Sequence, residues 1–211
     1  MIKILIADDH AIVRAGLKQI VSQEKDIIAA AEAADASELM NLLKQDTYDI
    51  VILDINMPGK SGLEALKDIR SEYPDLPVLI LSMYNEDQYG LRALKAGASG
   101  YLKKGSAPEE LVTAVRRIVS GGKYISQYLA EKMADSLQEK RNLLPHERLS
   151  DREYQVMCLI ASGKSVDEIA GILTISAHTI YSYRSRILEK LHMKTNVELT
   201  QYALQNKLIE I

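Results

Sequence analysis

The chain has one cysteine, Cys158, so it can form no internal disulfide. That residue lies in VMCLI on an apolar helical pattern and is expected to be buried. No apolar stretch reaches about 18 residues, which excludes an ordinary spanning helix. Charge of one sign is not in excess either: 26 Lys and Arg stand against 29 Asp and Glu, a net charge of −3. The balance is unevenly divided, with net −4 in residues 1–140 and net +1 in residues 141–211. This permits a nucleic-acid partner for the C-terminal part without requiring one. The opening MIKILIADD runs quickly into acidic groups and does not read as a signal peptide, so a cytoplasmic location with no membrane partner is expected. A composition 47% hydrophobic and 26% charged suits a folded chain rather than a disordered one.

Short apolar runs alternate with longer amphipathic ones through the first 120 residues. Strands are expected at 2–7, 27–32, 49–53, 77–82 and 98–102, with helices at 12–22, 35–45, 62–72, 86–96 and 107–119. Strands rich in Ile, Val and Leu that alternate with helices predict an α/β domain with a five-stranded parallel sheet. Ligands of such sheets bind beyond the carboxyl ends of the strands. Asp8 and Asp9, Asp54, Ser82 and Lys103 all follow apolar runs and fall there. Residues 122–147 read as a partly helical linker, broken at Pro145, between units at 1–121 and 148–211.

Adjacent carboxylates repel, so Asp8 and Asp9 need a reason to coexist with Asp54. A hard cation supplies one, because Mg²⁺ takes one or two carboxylates, keeps waters and sits beside phosphate. If one carboxylate acts as nucleophile, phosphoryl transfer is the natural chemistry, with the metal and Lys103 neutralising charge on the transferred oxygens.

On these residues the first 120 positions resemble the receiver domain of bacterial two-component response regulators. The match runs through Asp8–Asp9, Asp54, Met57–Pro58–Gly59 with Gly62, Ser82, Tyr101 and Lys103. The resemblance implies that Asp54 accepts a phosphoryl group from a sensor histidine kinase. It implies Mg²⁺ held by Asp8, Asp9, Asp54 and the backbone carbonyl of Asn56. Ser82 would bond the new phosphate, Tyr101 would rotate inward behind it, and Lys103 would pair with it. Many receivers have Lys–Pro after the last strand; here Lys104 follows Lys103, and Lys104 is taken as a solvated loop charge. The region of Tyr84, Asn85 and Tyr89 is weighed as a partner face against plain surface.

The last 60 residues are helical throughout. Ser150 with Glu153, and Ser165 with Glu168, have capping-box spacing; Gly163 ends the first helix and Ser176 caps the third. SVDEIAGILTISAHTIYSYRSRILEKL holds two helices joined by a short turn, with no Asp or Glu from Ile169 to Leu188. Helix-turn-helix geometry puts the second helix in the major groove of double-stranded DNA. The DNA-facing candidates are Ser176, His178, Thr179, Tyr181, Ser182, Tyr183, Arg184, Arg186 and Lys190, while Ile180, Ile187, Leu188 and Leu191 face the core. Local pattern alone leaves an adaptor or dimerisation module open.

LSDRE, ASGKSVDEIA, SAHTIYSYRSRILEKL and VELTQYAL are similar to the motifs of the LuxR-type C-terminal domain. The whole chain thus resembles the NarL/FixJ class of response regulators. The resemblance implies a phosphorylation-controlled transcription regulator that binds DNA as a homodimer, with RNA polymerase as a further partner. His178 and Asn196 depart from the usual Lys and Arg, which bears on operator sequence. The chain is not expected to be an enzyme beyond taking phosphate from donors and slowly losing it from Asp54. A phosphohydrolase would need a substrate-binding insertion and a general acid, and a constitutive regulator would not need every part of the pocket. A protein-binding adaptor would bind no DNA.

Overall fold

The computed structural model describes residues 1–138 and 144–209, in two compact units that divide after Ala130. The first alternates strand and helix: β1 Ile2–Ala7, α1 Ala11–Ser22, β2 Ile27–Ala33, α2 Ala36–Gln45, β3 Ile50–Leu53, α3 Gly62–Glu72, β4 Val78–Ser82, α4 Glu86–Lys95, β5 Gly100–Lys103 and α5 Pro108–Val119. The strands form one parallel sheet in the order β2-β1-β3-β4-β5. The order reverses beside β1, so the loops after β1 and β3 diverge and open a crevice at the carboxyl edge.

Burial explains the strands. All four residues of β3 (IVIL) and all five of β4 (VLILS) are buried, as strands covered on both faces must be. Ile4, Ile6, Ile50, Ile52, Leu79, Leu81 and Leu102 join Leu17, Val21, Leu111, Val115 and Ile118 in one core. The alternate positions, including Leu5, Val51, Leu53 and Ile80, are equally buried. A fully buried Leu or Ile contributes roughly 1.5–3 kcal/mol and an N-cap about 1. Burial therefore decides which face turns inward, and side-chain caps mark where α2 and α3 begin. The Asp35 carboxylate caps α2 by accepting from the Ser37 and Glu38 N–H groups, and Ser61 with Glu64 forms the capping box of α3.

The expected linker starts inside this unit. Tyr124 forms a parallel bridge with Gly100 at the β5 edge, and α6 (Gln127–Gln138) begins against α4, burying Leu129. Residues 123–130, expected as linker, pack with this unit: Lys123 and Tyr124 bond to the β5 edge, while Ser126 and Leu129 contact α4. Residues 139–143 of the expected linker, and residues 210 and 211, lie outside the described residues.

The second unit is helical: a 3-10 turn Pro145–Arg148, α7 Asp151–Ala161, α8 Val166–Leu173, α9 Ala177–Leu191 and α10 Asn196–Gln205. α7 is central, packing on α8, α9 and α10, and every residue from Arg152 to Ala161 is buried. The capping boxes of Ser150–Glu153 and Ser165–Glu168 form, and Ser176 caps α9. Gly163, at φ +81, turns the chain out of α7 in the left-handed region that favours glycine. Cys158 is buried, with Sγ facing the Leu208 carbonyl.

Candidate functional site

Three strand ends and the β5–α5 loop build one pocket. Asp8 follows β1 and Asp54 follows β3, and they are only 1% and 2% exposed. One Asp8 oxygen, Oδ1, accepts the His10 N–H at 2.9 Å. Its other oxygen lies 2.7 Å from Lys104 Nζ, which also donates to Asp54 Oδ2 at 2.8 Å. Burial pushes the Asp54 carboxyl pKa up, an effect strengthened by Asp8 and opposed by Lys104 and the Asn56 backbone N–H. Burial disfavours the Lys104 charge, but the two carboxylates more than offset this and hold its pKa above the ordinary lysine value.

The pocket lysine is thus Lys104, not Lys103, and Lys104 is no solvated loop charge. The cause is register. Lys103 pairs with Ser82 as the last residue of β5, and strand alternation sends its exposed side chain to the Tyr101 face. There it lines a groove with Glu86, Asp87 and Glu110. The next N–H, that of Lys104, donates to the Ser82 carbonyl at 2.6 Å, and the Lys104 side chain turns into the pocket. No cis peptide occurs among the described residues.

Ser82 is fully buried at the end of β4, its Oγ accepting the Tyr84 N–H at 3.2 Å. Tyr101 is already inward, 4% exposed, with its hydroxyl donating to the Tyr84 carbonyl at 2.8 Å. Burial raises its pKa well above the ordinary tyrosine value. Tyr89 is buried and stacks on Tyr84, so it belongs to the core rather than to a partner face. The loop after Asp54 is tight. Gly59 sits at φ +70, and a Cβ on Gly62 would overlap the Asp54 carbonyl oxygen.

The donor set fits a hard cation. Two buried carboxylates face one ammonium, which leaves excess negative charge, and Asp54 Oδ1 meets no hydrogen-bond donor among the described residues. Ligand atoms of Asp8, Asp9, His10 and Asp54 lie within 4.8 Å of one another. Asp9 is exposed, its Oδ1 2.6 Å from His10 Nδ1. An oxygen-rich pocket of this charge suits Mg²⁺. His10 escapes an inspection confined to carboxylates; its signal is only that it directly follows Asp9.

In the second unit, α9 buries Ile180, Ile187, Leu188 and Leu191 as its spacing predicts. Ser176, His178, Tyr181, Arg186 and Lys190 are exposed, while Thr179, Ser182, Tyr183 and Arg184 are half-buried. Several have partners within the unit. Ser176 Oγ lies 2.8 Å from Thr179 Oγ1, and Ser182 Oγ donates to the His178 carbonyl. Arg184 Nε donates to Asn196 Oδ1 at 2.7 Å, and Lys190 Nζ pairs with Glu153 at 2.7 Å. Lys190 is thereby anchored to α7, and Glu153, buried in its capping box, is held below the usual carboxylate range against a burial cost by Lys190 and Ser150. Sequence reasoning passed over Arg152. Its guanidinium donates to the Leu173 carbonyl at 2.9 Å and to Gln155, fixing α7 to the end of α8 just before the turn into α9.

A five-stranded parallel sheet with an acid–lysine pocket, joined to a helix-turn-helix unit, defines a receiver coupled to a DNA-binding domain. Residues 4–116 match the response regulator receiver domain, and residues 147–203 match the bacterial regulatory proteins of the luxR family. The chain belongs to the NarL/FixJ class of two-component response regulators. It is 37% identical over 209 residues to response regulator UvrY of Escherichia coli strain K12, covering 99% of this chain and 96% of that one. It is 36% identical to the oxygen regulatory protein NreC of Staphylococcus epidermidis, with 99% of each chain covered. Among solved structures it is similar to RcsB from Salmonella enterica serovar Typhimurium bound to promoter rprA in the presence of phosphomimetic BeF3⁻. The identity there is 28%, the TM-score 0.66, and the coverage 95% of this chain and 97% of that one. Among the described residues no helix is long and apolar enough to cross a membrane.

Proposed function

We propose that this chain is a transcription regulator whose DNA binding is set by phosphorylation of Asp54. The observation that carries this is the buried carboxylate of Asp54, with Oδ2 on Lys104 and Oδ1 meeting no hydrogen-bond donor among the described residues. Such a group can be a nucleophile facing an oncoming phosphorus. The carboxylate oxygen would attack the phosphoryl group of a kinase phosphohistidine; the O–P bond forms as the N–P bond breaks and the imidazole leaves. Asp8, Asp9, Asp54 and the Asn56 carbonyl would hold Mg²⁺, which neutralises phosphoryl charge when bound. Lys104 would pair with a phosphoryl oxygen and Ser82 would donate to another, while Tyr101 fills the space behind. Spontaneous loss of the phosphoryl group to water would end the signal, with no other catalysis by the chain.

The output is a dimer on double-stranded DNA, with Ser176, His178, Tyr181, Ser182, Arg186 and neighbouring groups of α9 against phosphates and base edges. Thr179, Tyr183, Arg184 and Lys190 complete that set, the last two from positions tied to Asn196 and Glu153. Support comes from RcsB, whose dimers are seen bound to DNA. A cytoplasmic site of action and contact with RNA polymerase complete the proposal.

The test selects a duplex from random-sequence DNA with the full chain, Mg²⁺ and acetyl phosphate, then compares affinity with and without phosphodonor. Wild-type protein should bind more tightly when phosphorylated, and Asp54→Asn should lose that response. Equal affinities despite confirmed Asp54 phosphorylation would sink the switch.

A further inference from the structure

The segment after α5 is fastened to the switch side of the receiver unit at both ends. At the sheet edge, the Tyr124 N–H donates to the Ser99 carbonyl at 3.0 Å, and the Tyr124 carbonyl accepts the Tyr101 N–H at 3.2 Å. Gly100 makes this approach feasible, since a Cβ there would stand 2.7 Å from the Tyr124 oxygen. The Tyr124 hydroxyl reaches Glu110 at 3.3 Å. On α4, Ser126 Oγ donates to Glu86 Oε1 at 2.8 Å and accepts the Leu129 N–H at 3.1 Å, starting α6. Leu129, 1% exposed, then seats over Gly90, where a Cβ would stand 2.6 Å from its Cδ2.

The same elements carry the Tyr101 contacts. Its hydroxyl holds the Tyr84 carbonyl just before α4, while its own N–H holds Tyr124. Inward Tyr101 holds the chain entering α4, whose first two turns present Glu86 and Gly90 to the linker. A displaced α4 would break the Ser126 bond and unseat Leu129 together.

Resting on the Asp54 reading above, we propose that residues 123–130 are a latch that closes when phosphorylation holds Tyr101 inward. Gly90 is its keyhole and Leu129 its bolt. Phosphorylation favours the closed state only insofar as that state binds the phosphoryl group better. Through Ser82 and Tyr101, that preference is transmitted to the start of α6, the helix that leads in sequence toward the DNA-binding unit.

The test is hydrogen exchange on the full chain with Mg²⁺, with and without beryllofluoride as phosphoryl stand-in. The amides of Tyr124, Leu129 and Ala130 should exchange on the order of tenfold more slowly with beryllofluoride. Gly90→Ala should abolish that slowing while leaving the response at Ser82–Tyr84. Leu129→Ala added to Gly90→Ala should restore part of it, because the smaller bolt fits the filled keyhole; this separates lost fit from lost folding. Latch amides unchanged while Ser82–Tyr84 respond, or Gly90→Ala behaving as wild type, would overturn the latch alone. No response anywhere, Ser82–Tyr84 included, would overturn the phosphoacceptor reading and the latch with it.

Discussion

The two units place their working residues in opposite ways. The receiver unit gathers Asp8, Asp54 and Lys104 from separate segments into one nearly closed pocket. The helical unit spreads its candidates along the outside of α9, a single continuous helix. A pocket assembled from distant segments depends on backbone register everywhere; a helix face depends mainly on its own periodicity. The pocket therefore needs the pairing of distant strands to be known, whereas the exposed face of α9 follows from the 3.6-residue period of one segment.

The strongest way to break the comparison is to disturb the receiver backbone where two loops touch. Gly62→Ala should destabilise the full chain by roughly 3 kcal/mol, since its Cβ overlaps the Asp54 carbonyl and neither backbone yields easily; urea unfolding measures this. Register is tested next by the tandem lysines. Lys104→Ala should slow phosphoryl acceptance from acetyl phosphate on the order of 100-fold, whereas Lys103→Ala should stay within about twofold. The reverse ranking would refute the pocket geometry.

The second unit predicts smaller effects. Glu153→Gln, which loses the Lys190 pair and weakens a capping box, should cost about 1 kcal/mol at neutral pH. The folded Glu153 pKa is depressed, so its contribution is complete above the ordinary glutamate value of 4.5 and fades as pH falls through the lower folded value. The gap between wild type and Glu153→Gln in thermal unfolding should therefore shrink on acidification below that range. His178→Lys should tighten DNA binding by about threefold near neutral pH and steepen its salt dependence by about one counterion.

Much of this was legible in the residues themselves. Runs such as IVIL gave the strands and their buried carboxyl ends, and Ser–Glu spacings gave the helix starts. The lysine was not legible to the residue, because an apolar run shows where a strand ends but not which way the next two side chains turn. Pairing of Lys103 with Ser82 decides that, and pairing is a property of two distant segments. His10, Arg152 and the docking of residues 123–130 were hidden for the same reason: each acts through a partner remote in sequence or through a backbone group. On α9, periodicity separated inward from outward residues, yet it could not reveal that Arg184 and Lys190 are held by Asn196 and Glu153.

The neighbouring lysines have a chemical consequence. The side chain of Lys104 is 8% exposed and clamped between two carboxylates, while that of Lys103 stands open to solvent. An amine-directed acylating reagent should modify Lys103 readily and spare Lys104. The cation clamped between Asp8 and Asp54, which under the proposed function would pair with the phosphoryl group, is thus shielded from acyl transfer, and an adjacent residue of identical chemistry is left to absorb it.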